Sequence, residues 1–250
     1  MIGKLLRSAF GKKLPEAVDR GAEVDALAAR LADAPPPERA QAIAVLTEID
    51  RASAQHHARV LEVLLDFVRR ERSKLDVPRG EPGIDVRAAL GAIGRRAWVD
   101  TETAPLALAG LDLGQCVVAG ADLRRADLSG SVVSSCNFLG SKLAGANLRG
   151  AILDESLMMA VHLEKADLTD ASLRATNLTD AFLHDACLAN ADLTFTVLVK
   201  ASVRRADLSG ATISGTQLGG ADLRCARGLT RAQLGGAETD NLTELPADLA

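Results

Sequence analysis

The chain has 250 residues, 48% of them hydrophobic, with no Tyr, one Trp, five Phe and a formal net charge of −4. That length allows one or two domains with a buried core, and a core this poor in aromatics must be filled by many similar aliphatics, as in a stacked array. The mild charge names no partner, and every apolar stretch falls short of the roughly 18 residues that a membrane span needs.

Residues 1–100 are expected to form a helical region. In the opening "MIGKLLRSAF", Ile2, Leu5, Leu6, Ala9 and Phe10 share one helical face, with Lys4 and Arg7 off it and Lys12 and Lys13 following. Those charges also argue against a secretory leader. This basic amphipathic stripe has two readings: it lies on an anionic membrane surface, or it packs on the helices that follow. Val24, Leu27, Ala28 and Leu31 form a second stripe, ended by Pro35-Pro36-Pro37. A third helix is expected from Pro37 to about Ala52, with Ile43, Leu46 and Ile49 inward, because Pro is tolerated in a first turn. A fourth is expected from His56 to Lys74 through Val60, Val63, Leu64, Phe67 and Val68. A fifth is expected from Asp85 to about Trp98 through Val86, Ala89, Leu90 and Ile93.

From Leu106 to Ala226 the pattern changes. Stepping by five from Leu108 to Leu223 meets 24 centres: 18 Leu, with Val118, Val133, Val203, Ile213, Phe138 and Met158 completing the series. Two residues before each centre the side chain is nearly always small, and 13 of these positions are Ala. Neither a helix nor a strand repeats every five residues. A chain that turns once per pentapeptide does, and it must coil so that its backbone groups bond to the coils above and below. A longer period supplies the size of the coil. Ala126, Ala146, Ala166, Ala186 and Ala206 recur at intervals of twenty, whereas the column Cys116, Cys136, Ser156, Thr176, Thr196, Thr216 contains no Ala. Twenty residues per coil means four sides per coil and about six coils, roughly 29 Å long at sheet spacing.

The Ala-(Asp/Asn)-Leu-x-x run, as in "GADLRRADLSG", closely resembles the pentapeptide repeat proteins. The resemblance implies an α + β-solenoid: an N-terminal helical region, then a right-handed quadrilateral parallel β-helix. "AIAVLTEIDRAS" and "DVRAALGAIGRR" are also similar to the helical segment that precedes the repeats in many bacterial members. Such relatives often carry transmembrane helices; none is read here, so their anchoring is not carried over. The expected organisation is a helical region over 1–100 that caps the solenoid, the β-helix over 106–226, and a capping helix with a tail over 227–250. In "LTRAQL", Thr230 and Gln233 have capping-box spacing, and Leu229 with Leu234 fits a hydrophobic staple.

The sequence lacks a GxSxG elbow, a phosphate-cradling Gly loop, an HExxH and any paired-cysteine metal spacing. The expectation is a protein that is not an enzyme and takes no cofactor or metal. His162 and His184 fall on one side in adjacent coils but flank their centres oppositely, which disfavours a metal pair. Cys116 and Cys136 stack one coil apart, within reach of a disulfide by Cα spacing. As small inward residues of a reducing compartment they read as core thiols, and the location expected is cytoplasmic, with peripheral attachment at the inner membrane if residues 1–13 bind it.

The outward faces differ. The side centred on 123–223 carries Arg124, Arg125, Lys142, Lys165, Arg204, Arg205 and Arg224 against Asp122, Glu164, Asp185 and Asp222, a net +3. The sides centred on 108–208 and on 113–213 each sum to −3. The fourth, centred on 118–218, carries Val117, Leu139, Leu157, Met159, Val197 and Val199 with only Asp180 and Lys200 charged. An apolar patch on a flat face is normally covered: by a protein partner, a second copy or the chain's own helical region. The function expected is therefore a non-catalytic scaffold or protein-interaction module. One alternative is peripheral membrane attachment through Ile2, Lys4, Leu5, Leu6, Arg7, Phe10, Lys12 and Lys13. The other comes from the resemblance, since the family includes quinolone-resistance proteins that mimic DNA and protect type II topoisomerases. A mimic needs dominantly acidic surfaces. Residues 106–226 hold 13 acidic against 10 basic groups, which disfavours that role and makes nucleic acid an ill-matched partner too.

Overall fold

The computed structural model describes residues 20–73, 82–96 and 104–249. Four helices come first: α1 (Arg20–Asp33), α2 (Pro36–Ala52), α3 (Ala54–Arg72) and α4 (Ile84–Gly94). Each buries the stripe read from its sequence, with Val24, Leu27 and Leu31 on α1, Ile43, Leu46 and Ile49 on α2, and Val60, Val63, Leu64, Phe67 and Val68 on α3. Two prolines open α2, where a missing N–H costs nothing. Ser53 ends α2 and starts α3, its side chain accepting the Gln55 amide at 3.3 Å. The α1 helix packs on α2 and α3, and α2 on α3 and α4. Arg39 joins three of them: it meets Glu71 at 3.1 Å and Asp85 at 2.9 Å and lies 5.5 Å over the Phe67 ring.

The α4 helix stops at Gly94, short of the Trp98 expected from periodicity. Its end is set by what it abuts. The Gly94 carbonyl accepts the Asp122 amide of the first coil at 2.7 Å. The buried Arg96 guanidinium then donates to the Ile93 carbonyl at 2.8 Å and to the Asp122 carbonyl. Further helical turns would drive into the solenoid.

From Ala107 to Asp207 every fifth residue forms a parallel bridge with the residue twenty positions on. Each bridge has two hydrogen bonds; the Asn147 amide, for instance, donates to Ala126 O at 2.9 Å and Asn147 O accepts from Leu128 N at 2.8 Å. All 24 centres are buried, and so are the small residues two positions before them. The centres stack along the axis as one continuous core that extends into α1–α4.

Two features of the pentapeptide explain its remaining letters. The second residue after each centre has φ near +60° at all 24 positions from Gly110 to Cys225, and this left-handed residue turns the chain. Nine of these are Gly and none is β-branched, as the steric cost of that region requires. The Asp or Asn before the centre closes the same turn by accepting the amide two residues on: Asp127 from Ser129 at 3.1 Å, Asn137 from Leu139 at 3.0 Å, Asp207 from Ser209 at 3.0 Å.

The column without Ala also has a reason. Ser156, Thr176, Thr196 and Thr216 are fully buried, and each hydroxyl donates to a carbonyl of the preceding coil at 2.6–2.9 Å: Val133, Leu153, Leu173 and Leu193. Each buried donor is thus satisfied.

Beyond Ala226 the expected capping helix is a single turn, α5 (Arg231–Leu234), with the Thr230–Gln233 capping box in place. The tail then rejoins the solenoid. Gln217 bridges Glu238 and Asp222 bridges Glu244, so a further partial coil follows with one and then two extra residues. No pentapeptide pattern marks it.

Candidate interaction surface

The residue before each centre and the two after it point outward, so four columns of bridges carry four outward surfaces. On the surface between Val117 and Gln217, Val117 is 60% exposed, Leu139 49%, Leu157 50% and Met159 38%. Val197 and Val199 on the same surface are half-buried. Among the described residues, the hydrogen bonds of the helical region to the solenoid reach the end of the first coil, at Ala107, Asp112 and Asp122. The structure brings together the six residues singled out from sequence and leaves four of them open to solvent.

Apolar exposure extends past that side. Phe195, 62% exposed, sits in the turn leading into the segment of Val197. Phe182, 39% exposed, stacks on His162 with ring centroids 4.7 Å apart. Reading the apolar side alone misses both, because Phe195 is a turn residue that borders two sides and Phe182 lies in a bridge of the basic side. Ile2, Lys4, Leu5, Leu6, Arg7, Phe10, Lys12 and Lys13 lie outside the described residues.

The arginines of the charged surfaces pair in part with acids of their own side. On the basic side Arg124 meets Asp122 at 2.8 Å, Arg205 meets Asp185 at 2.6 Å and Arg224 meets Asp222 at 2.8 Å. On the acidic sides Arg149 meets Asp167 at 3.2 Å and Arg174 meets Asp192 at 2.8 Å. Exposed pairs of this kind add little stability, about 0–1 kcal/mol each, but they blunt the field that a charged partner would feel.

His162 Nδ1 lies 2.9 Å from Glu164 Oε1. Among the described residues no group of three or more His, Cys, Asp and Glu is arranged to hold a metal ion. Cys116 and Cys136 are free and buried; the Cys116 amide donates to Cys136 Sγ at 3.3 Å, and that thiol donates to Leu113 O at 3.1 Å. The hydrogen bond with Cys136, reinforced by burial, pushes the Cys116 thiol far above its usual range. No described helix is long and apolar enough to cross a membrane.

The family of pentapeptide repeats matches residues 121–158, 156–194 and 186–224. Over these residues the chain belongs to the pentapeptide repeat family, and its solenoid is a right-handed β-helix preceded by helices. No curated protein matches the chain. Among solved structures, HetL, a pentapeptide repeat protein involved in heterocyst differentiation regulation from the cyanobacterium Nostoc sp. strain PCC 7120, is 27% identical. It matches 56% of this chain and 71% of its own, with a TM-score of 0.34. A pentapeptide repeat protein of the Arabidopsis thaliana thylakoid lumen is 28% identical over 44% of this chain and 67% of its own, with a TM-score of 0.35. Full-length QnrB1, a plasmid-mediated fluoroquinolone resistance protein, is 18% identical over 55% and 92%, with a TM-score of 0.29. At these TM-scores none of the three bears on what this chain does.

Proposed function

We propose that the protein is a non-catalytic, cytoplasmic interaction module: a four-sided β-helix of about six coils that offers a rigid surface to a protein partner, with residues 1–100 as its cap. The observation that carries this reading is the exposed apolar surface of Val117, Leu139, Leu157 and Met159. Apolar side chains on a face that the described helices leave open are the usual mark of a contact surface. The mixed charge of the solenoid, 13 acidic against 10 basic groups over residues 106–226 with one basic side, weighs against a DNA mimic, which would need one-signed charge.

The test compares wild type with the Leu139/Met159/Val199→Lys variant as baits in a pull-down from native extract, after circular dichroism has shown equal folding. A partner retained by wild type and lost by the variant supports the reading. Identical sets retained by both would remove the apolar side from the account. Size-exclusion chromatography of the same pair reports whether the partner is a second copy.

A further inference from the structure

The end of the solenoid next to the helices carries a second feature, and its interpretation rests on the apolar side being a contact surface. In each coil the residue before a centre directs its N–H and C=O at the preceding coil. The Asn137 N–H donates to Cys116 O at 2.8 Å, and Asn137 O accepts from Val118 N at 2.9 Å. The first coil has no predecessor, so these groups on Ala107, Asp112, Val117 and Asp122 form an open β-edge unless something else meets them.

The helices meet three of the four. Arg69 donates through Nε and Nη2 to the Ala107 carbonyl, each at 3.2 Å. The Asp112 amide donates to Arg72 O at 3.4 Å, and Arg72 Nε donates back to Asp112 O. Asp122 is held between the Gly94 carbonyl and the Arg96 guanidinium. Val117 is different: neither its N–H nor its C=O has a hydrogen-bond partner among the described residues, and it lies 60% exposed at the head of the apolar side.

We propose that this edge takes an extended segment of a partner polypeptide by strand addition. The segment continues the column Val117–Asn137–Leu157 one step beyond the first coil and rests an uncharged, apolar side chain against Val117 and Leu139. The chemistry selects this occupant. A donor and an acceptor on one residue, spaced as in every other bridge of the solenoid, are matched by the C=O and N–H of an extended backbone. A helix has already used its own backbone groups, and a nucleic acid offers charge where this surface is apolar. A second copy would bring only the same single-residue edge, hemmed in by its own helices.

The test uses the full isotope-labelled chain and two probes: a capped seven-residue peptide of alternating Val and Ser, and the same peptide N-methylated at every residue, so that neither edge keeps an N–H to donate. The two have the same side chains, but the second cannot pair as a strand. Expected are slowed amide exchange at Val117 on addition of the first peptide and binding at least about tenfold weaker for the second, as the loss of two backbone hydrogen bonds predicts. Leu139→Lys should weaken the first peptide while leaving the Val117 amide intact. Equal binding of both peptides without protection of Val117 would overturn strand addition yet leave the apolar side as a contact surface. No binding of either at about 1 mM, or protection of Val117 by dimerisation without peptide, would also overturn it. Loss of partner retention in the lysine variant is a separate readout, so the two readings fail independently.

Discussion

Gly94, the last residue of α4, lies so close to Ala121 that a Cβ on it would stand 2.6 Å from the Ala121 Cβ, a separation that real side chains do not adopt. The helix end and the first coil are therefore fitted backbone to side chain, and the continuous core depends on it. Gly94→Ala should destabilise the protein by about 1–3 kcal/mol through overpacking. Adding Ala121→Gly should recover part of that loss. Urea unfolding midpoints of the two single variants and the double variant measure the coupling; additive losses would mean that the two residues do not meet in solution.

The turn rule can be tested where nothing else interferes. Gly150 has φ +62°, and a Cβ there would meet no atom within 4 Å. Gly150→Val should therefore cost only the left-handed backbone penalty, about 1–2 kcal/mol, and Gly150→Asn distinctly less. Thermal denaturation of the two variants gives the order; a harmless valine would refute the backbone account of the repeat.

Cysteine reactivity should follow position. Cys225 is exposed, whereas Cys116 and Cys136 are buried and the Cys116 thiol is pushed upward by its hydrogen bond with Cys136 and by burial. Iodoacetamide on the native protein should modify Cys225 first and leave Cys116 and Cys136 untouched until urea is added. Peptide mass spectrometry reads the order, and early labelling of Cys116 would show that the first coils open.

Acid should loosen the solenoid. Arg205 holds Asp185 below the usual carboxylate range, the Ser209 hydroxyl does the same for Asp207, and Arg224 for Asp222. A carboxyl depressed in the folded state binds its proton more readily when unfolded. Its contribution is therefore complete above the unfolded value near 4 and is lost as pH falls through the folded values. The melting temperature should stay nearly flat from neutral pH to about 5 and fall below about 4. Asp207→Asn should flatten part of that fall.

Much of the fold is legible because the pattern has one cause. A residue that must point inward at each coil shows as the unbroken series from Leu108 to Leu223, and the alternating Ala and Ser/Thr columns reveal the twenty-residue coil before any bridge is seen. The absence of β-branched residues two positions after the centres was equally available, since it records the left-handed turn. The partial coil through Glu238 and Glu244 was not, because its extra residues break the spacing while backbone hydrogen bonds keep the geometry. The apolar side could be named from Leu139, Leu157 and Met159, but whether the helices covered it could not.

The amino-acid sequence alone determined the coil, its period, the helices that precede it and the side that is poor in charge, because each follows from which residues must be buried within twenty positions of one another. The tertiary structure decided where the helical region docks, that α4 halts at Gly94, and that Arg69, Arg72 and Arg96 close three edges of the first coil and leave Val117 open. Those contacts join residues 26 to 40 positions apart through backbone carbonyls and amides. Every residue type presents such groups alike, so no side-chain pattern announces which of them will be met.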